Sequence, residues 1–284
     1  MERDMHLSPL RLQTKFFTRH KLGPPTFVMS HLYLARRVVE GNRMYVNPTN
    51  NLNLFLTGLY EPLETQVIRD HVRTGDTVLD VGANIGYFTL LCAKLVGENG
   101  RVFAFEPDTV NFGWLERNVR VNGFQNVVLV RKAVSSKTGT AKLYVSSRYK
   151  GDNRIYDSED GRRTFNLEAV ALNDFFDGFT GRIDFIKLVI QGAEQAALEG
   201  MQKILQSNSN LKLVTMFWPG GLERSGGGPK DYLELLLSNG FRLYDINEER
   251  GSVVATSASD LLKTYAQDDE TFTTILCLRG DGGR

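Results

Sequence analysis

The stretch "VLDVGANIGYFTLL", residues 78–91, decides the fold. An apolar run broken only by Asp80 gives way to a turn carrying Gly82 and Gly86, and then to the start of an amphipathic helix. This is a buried strand feeding a helix, and the two glycines admit backbone geometries that a side chain blocks. Ligands of α/β proteins are held at junctions of this kind. Asn84 stands where a dinucleotide-binding turn places its middle glycine, and its side chain hinders the closest approach of a pyrophosphate. A ligand without a pyrophosphate is therefore expected. The next apolar run, "VFAFEPD" (102–108), ends on Glu106, twenty residues past Gly86, where an acid at a strand tip accepts both ribose hydroxyls of an adenosine.

Outward from this pair, strands and helices alternate to the C-terminus, the pattern of a mostly parallel sheet covered by helices on both faces. Strands are expected at 76–82, 101–106, 127–134, 184–190, 211–217, 241–246 and 272–278, and helices near 63–72, 86–96, 110–121, 193–205 and 229–238. Two alternating segments, 139–146 and 165–172, flank the polar stretch "SRYKGDNRIYDSEDGRR". That insertion is either a lid over a site or an ordinary surface loop. The expected division is an N-terminal extension, 1–60, followed by one ligand-binding domain, 61–284.

The chain of 284 residues is long enough to bury a full core, and its net charge of +1 offers no general field for a polyanion. Residues 1–45 carry eight Lys and Arg against three acids, a local net of +5 that suits a solvated basic arm or an anionic partner. Cys92 and Cys277 lie in apolar segments without metal-ligand spacing, so they read as packing residues in a reducing, cytoplasmic setting. All four histidines, His6, His20, His31 and His71, precede the α/β region, which argues against a His-based triad or metal centre on the sheet. No apolar run is long enough to span a bilayer. The expected partner is a small molecule, with no nucleic acid and no membrane span; the oligomeric state stays open.

The segments "YEPLET", "GDTVLDVGANIGYFTLL", "VFAFEPD", "RNVRVNG" and "DFIK…GAE…LEGM" occur in the order and rough spacing of the FkbM family of S-adenosylmethionine-dependent methyltransferases, which the chain resembles from about Gly41 to Leu278. The resemblance implies a class I, Rossmann-like methyltransferase fold with a seven-stranded sheet of order 3-2-1-4-5-7-6, its last strand antiparallel. It implies S-adenosylmethionine as cofactor, lined by Asp80, Gly82, Ala83, Asn84 and Gly86, with Glu106 and Pro107 at the ribose, Ala133 near the adenine, and Glu61 and Glu64 over the mouth of the site. The implied reaction is O-methylation of a hydroxyl on a sugar or natural-product small molecule.

At the methyl-transfer site the chain departs from the family. Members usually read similarly to "IDVEGAE" on the fourth strand and carry a glutamate on the fifth, whereas this chain has Val189, Gln191 and Met216 there. Glu194 is the nearest surviving carboxylate in sequence, and Gln191, Glu194, Val189 and Met216 are the candidate residues around the reacting atoms. Holding a nucleophile in line with a methyl group needs no metal or covalent help, but a hydroxyl must also lose its proton, and a positioned base contributes roughly 10²–10⁴-fold. No metal is expected without the acids. The alternatives are a cofactor-binding protein with weak or no catalysis, and an NAD-dependent dehydrogenase. Asn84 and the lack of a carbonyl-handling His or Tyr-x-x-x-Lys pair after the turn weigh against the latter.

Overall fold

The computed structural model describes residues 36–46, 52–146, 150–157 and 159–279. Most of the basic arm, residues 1–35, lies outside them. The chain opens with a hairpin of β1 (Arg36–Val39) and β2 (Asn42–Tyr45), followed by α1 (Leu52–Thr57) and α2 (Pro62–His71). There follow β3 (Thr77–Val81), α3 (Tyr87–Val96), β4 (Arg101–Phe105), α4 (Thr109–Asn122) and β5 (Val127–Val130). Next come β6 (Ala133–Val134), β7 (Gly139–Val145), β8 (Arg163–Val170), α5 (Leu172–Phe175), β9 (Phe185–Leu188), α6 (Glu194–Glu199) and α7 (Gln202–Ser207). The last third holds β10 (Lys212–Phe217), α8 (Pro219–Arg224), α9 (Pro229–Ser238), β11 (Arg242–Asn247), β12 (Ser252–Thr256), α10 (Ala258–Tyr265) and β13 (Thr273–Leu278).

The main sheet runs β12-β11-β13-β10-β9-β3-β4-β5. Its core strands are parallel, and β13 runs antiparallel to both neighbours. Leaving out β12, the strands lie in the 3-2-1-4-5-7-6 arrangement, but the sheet has eight strands rather than the expected seven. The eighth, β12, pairs antiparallel with β11 at the sheet edge, where its residues are half-buried or exposed and so leave no apolar run to read.

Alternation along the strands sends side chains to two cores. Leu79, Ile186 and Leu213 face Leu198, Leu205 and Leu236 on one side, while Val78, Phe185 and Val214 belong with Ile68, Leu90 and Leu115 on the other. The hairpin joins the second core through Val39 and Met44 and is fixed to α4 by Asn118, whose side chain accepts from the Tyr45 amide at 2.7 Å and donates to the Tyr45 carbonyl at 3.2 Å.

Two expected elements divide. The run 127–134 forms β5 and then leaves the main sheet, so that β6 pairs with β8 in a separate sheet of order β6-β8-β7. The helix expected at 193–205 is two short helices, broken at Gly200, where a side chain would meet the Ser135 carbonyl at 2.2 Å. Cys92 and Cys277 are both buried free thiols.

Candidate active site

The glycine turn is built as the sequence reads. The Gly82 and Ala83 amides donate to the Phe105 carbonyl at 3.0 and 2.9 Å, and the Gly86 amide donates to Ala83 at 2.9 Å. Gly82, Asn84 and Gly86 all have positive φ, of 88°, 51° and 97°. Gly82 has a further reason to be glycine that sequence alone does not reveal. A Cβ there would stand 2.1 Å from the Val189 carbonyl oxygen, so this turn and the end of β9 meet backbone to backbone.

Glu106 ties the second motif to the first. One carboxylate oxygen accepts from the Asn84 amide at 2.8 Å and the other from the Asp108 amide at 2.9 Å. Burial pushes its pKa up to about 7, against the pull of those amides. Beside it opens a cleft lined by Gly82, Asn84, Glu106, Pro107 and Ala133 together with Val189, Ile190 and Gln191. Another part of the wall comes from β7 through Leu143 and from the insertion through Gly151, Asn153 and Ile155. Part of that stretch therefore borders the cleft. Asn111 and Lys132 also line the cleft and carry no motif by which they could be found beforehand. Asp80 sits beneath the turn, 1% exposed, with one carboxylate oxygen accepting from Thr89 and the other lacking any partner.

The fourth-strand junction places its candidates differently. Val189 and Gln191 line the cleft, with Gln191 in the left-handed region at φ 60°. Tyr156 of the insertion donates its hydroxyl to the Gln191 carbonyl at 2.7 Å, which pins the turn to the wall. Met216 is 5% exposed and packs within the sheet. Glu194 is not among the residues that line the cleft. It is fully buried, with one oxygen accepting from the Ile190 amide at 2.7 Å and the other from the Gly192 amide at 2.8 Å, so the candidate base is a cap for its own turn. Glu194→Ala would leave both amides unpaired, and an expected loss of roughly 2–3 kcal/mol in denaturant unfolding checks this role.

Burial also pushes Glu194 up to about 7. For Glu106 and Glu194 alike, the folded value lies above the usual 4.5, so the folded chain keeps protons that the unfolded chain releases. Their stabilising contribution is full below about 4.5 and is lost as pH rises toward 7, on the order of 2–3 kcal/mol for each group. The melting temperature of the ligand-free protein should therefore fall between pH 5 and 7.5, which thermal scans across that range will show.

Residues 80–243 match the model of the methyltransferase FkbM domain. The chain is 28% identical over 134 residues to a protein-L-isoaspartate O-methyltransferase of Caenorhabditis elegans, a match covering 41% of the chain and 59% of that protein's length. It is 26% identical over 167 residues to a probable cobalt-precorrin-6B C(15)-methyltransferase (decarboxylating) of Saccharolobus solfataricus, covering 56% of the chain and 79% of that protein. Among solved structures, an S-adenosylmethionine-dependent methyltransferase of Aquifex aeolicus superposes with a TM-score of 0.40 at 16% identity, covering 77% of this chain and 90% of that one. Among the described residues, no helix is long and apolar enough to cross a membrane.

Proposed function

The chain belongs to the FkbM family of methyltransferases, and we propose that it uses S-adenosylmethionine to methylate an oxygen, a hydroxyl on a sugar or natural-product small molecule. The observation that carries the reading is the direct link between the glycine turn and the acid at the tip of β4, the Asn84 amide donating to Glu106 within one cleft. The residues present fit the cofactor. Glu106 offers lone pairs to a ribose diol, Pro107 and Ala133 give an apolar bed for an adenine, and Gly82 and Asn84 bring the backbone to the ligand, while Ala83 and Gly86 shape the turn without lining the cleft. Asp80, with one unpaired oxygen, lies buried beneath the turn and does not itself line the cleft.

When bound, the cofactor supplies an electrophilic methyl group. The chain's own task is then to exclude water and hold the nucleophile in line, a role in which geometry alone contributes much of the acceleration. Val189, Ile190 and the insertion wall give an apolar boundary suited to that task. The near-neutral charge and the walled cleft support a small substrate over a nucleic acid.

The test is transfer of labelled methyl from S-adenosylmethionine to a panel of glycosides and hydroxylated natural products, with RNA and protein carboxylates as competitors. Product stable to mild base and formed only from the hydroxyl panel is expected. Label appearing only in base-labile esters or in RNA would overturn the choice of acceptor.

A further inference from the structure

The lining of the cleft limits what its acceptor can be. Among the described residues, the polar side chains on its wall are those of Asn84, Glu106, Asn111, Lys132, Asn153 and Gln191, of which only Glu106 and Lys132 ionise. Neither is placed to take a proton from an acceptor. Both Glu106 oxygens already accept from backbone amides, and the same carboxylate faces the ribose in the reading above. Lys132 is held in an ion pair with Glu168 at 2.8 Å, and an ammonium has no lone pair to offer.

In the sheet, β9 adjoins β3 and β3 adjoins β4. A ligand anchored at the tip of β4 and crossing the glycine turn therefore arrives at Val189, Ile190 and Gln191. The turn they form is fixed at four backbone groups. Glu194 accepts from the Ile190 and Gly192 amides, Tyr156 donates to the Gln191 carbonyl, and the Ser225 hydroxyl donates to the Gly192 carbonyl at 2.7 Å. These anchors come from α6, the insertion and the end of α8, and together they hold Gln191 in the left-handed region, where a residue other than glycine stays only under constraint. Its carboxamide can hydrogen-bond an acceptor oxygen but cannot take the proton from it.

The wall is otherwise largely apolar, through Val189, Ile190, Leu143 and Ile155 among others. Phe165 is the cross-strand partner of Leu143, so the two share a face of the small sheet, and at 56% exposed it carries that apolar surface outward.

We propose that the acceptor is a phenol on an aromatic scaffold, which ionises by its own acidity, with Gln191 as the hydrogen-bond partner of its oxygen. The proposal rests on the methyltransferase reading above and narrows its acceptor. The phenolic proton leaves to water before transfer. The phenolate oxygen then bonds to the methyl carbon as the carbon–sulfur bond breaks, the electron pair staying on sulfur, to give an aryl methyl ether and S-adenosylhomocysteine. An anion and a sulfonium cancel their charges in this step, so a wall of low polarity favours it. A phenol ionises at about pH 10, which leaves roughly one molecule in a hundred reactive at about pH 8. A sugar hydroxyl is far less acidic and needs the positioned base that contributes roughly 10²–10⁴-fold. Two titratable groups adjoin the turn. Glu194 lies outside the lining with both oxygens bonded to amides, and burial pushes Tyr156 up to about 12 against the pull of Arg154 and Arg224, so it stays a neutral donor.

The test has a binding arm and a rate arm, both on the full chain. Calorimetry of the protein saturated with S-adenosylhomocysteine is expected to show binding of simple phenols and none of methyl glycosides. In Gln191→Gly, which keeps the left-handed backbone, phenol affinity should fall about tenfold while S-adenosylhomocysteine affinity is kept. In the rate arm, labelled methyl transfer to phenols of graded acidity is followed across pH. The pH at which kcat/KM levels off should move with each phenol's own acidity, and glycosides should react at least about a hundredfold more slowly. A single levelling pH shared by all the phenols, or glycosides methylated as fast as they are, would reveal a base in the protein and overturn the proposal. So would S-adenosylhomocysteine binding without transfer to any phenol, or phenol affinity unchanged in Gln191→Gly. A wild-type protein that does not bind S-adenosylhomocysteine would bring down the methyltransferase reading itself.

Discussion

Gly82→Val is expected to abolish binding of S-adenosylhomocysteine and to lower stability by about 4 kcal/mol, combining a strained positive φ with an overpacked contact. The added Cβ would stand 2.1 Å from the Val189 carbonyl and 3.1 Å from the Ile190 side chain. Backbone cannot yield as a flexible side chain does, so β3 and β9 must separate at the ends that form the floor of the cleft. Gly82→Ala should show most of the same loss, because the clash begins at Cβ. A control at Gly113, where a Cβ meets nothing within 4 Å, should leave melting and binding unchanged. Calorimetry and denaturant unfolding of the three variants check the set. Equal behaviour of the variants at positions 82 and 113 would show that the close approach of the two strand ends has no energetic weight.

Met216→Glu is the second large effect, an expected destabilisation of about 3–5 kcal/mol for a carboxyl buried in the sheet without a hydrogen-bond partner. Met216 is 5% exposed, its cross-strand partner Thr274 lies within hydrogen-bonding reach of Glu64, and Lys187 and Asp80 stand in register on the neighbouring strands of the same sheet. A further carboxylate there finds no donor to replace its lost water, so it is expected to remain protonated at neutral pH. The variant should accordingly lose stability more steeply than the wild type as pH rises, because ionisation is forced against Glu64 and Asp80. Thermal melts at pH 6 and 8 read this directly. An unchanged melting temperature at both values would mean that the face is wetter and better compensated than the packing indicates.

The same residues show what was legible in the sequence. Asp80, the two glycines and Glu106 could be placed because each occupies a fixed offset from a strand end, and strand ends follow from apolar runs of period two. The sheet order came through the resemblance, while β12 escaped because an edge strand without a buried face has no apolar signature. Glu194 was misassigned for a related reason. Its place in sequence suits a base, but a short carboxylate one residue past a tight turn bonds to that turn's own amides, and only coordinates show the choice. Long-range partners were beyond reach altogether. Glu248 lies 185 residues from the Leu63 amide that it accepts from, and Tyr156 lies 35 residues from the Gln191 carbonyl to which it donates. No local pattern encodes such meetings. They decide which carboxyls are tied up as caps, as Glu248 and Glu194 are.

The central claim is that the cleft between the glycine turn and Glu106 holds the adenosine part of S-adenosylmethionine. Calorimetric titration of S-adenosylhomocysteine into the wild-type protein and Glu106→Ala, with thermal melting alongside, tests it most directly. Saturable binding is expected for the wild type. The variant should bind roughly ten- to a hundredfold more weakly, about 1.5–3 kcal/mol for hydrogen bonds to a charged group, and should melt somewhat lower because the Asn84 and Asp108 amides lose their acceptor. Equal affinity in both proteins, or a wild-type protein that binds NAD and not S-adenosylhomocysteine, would contradict the account.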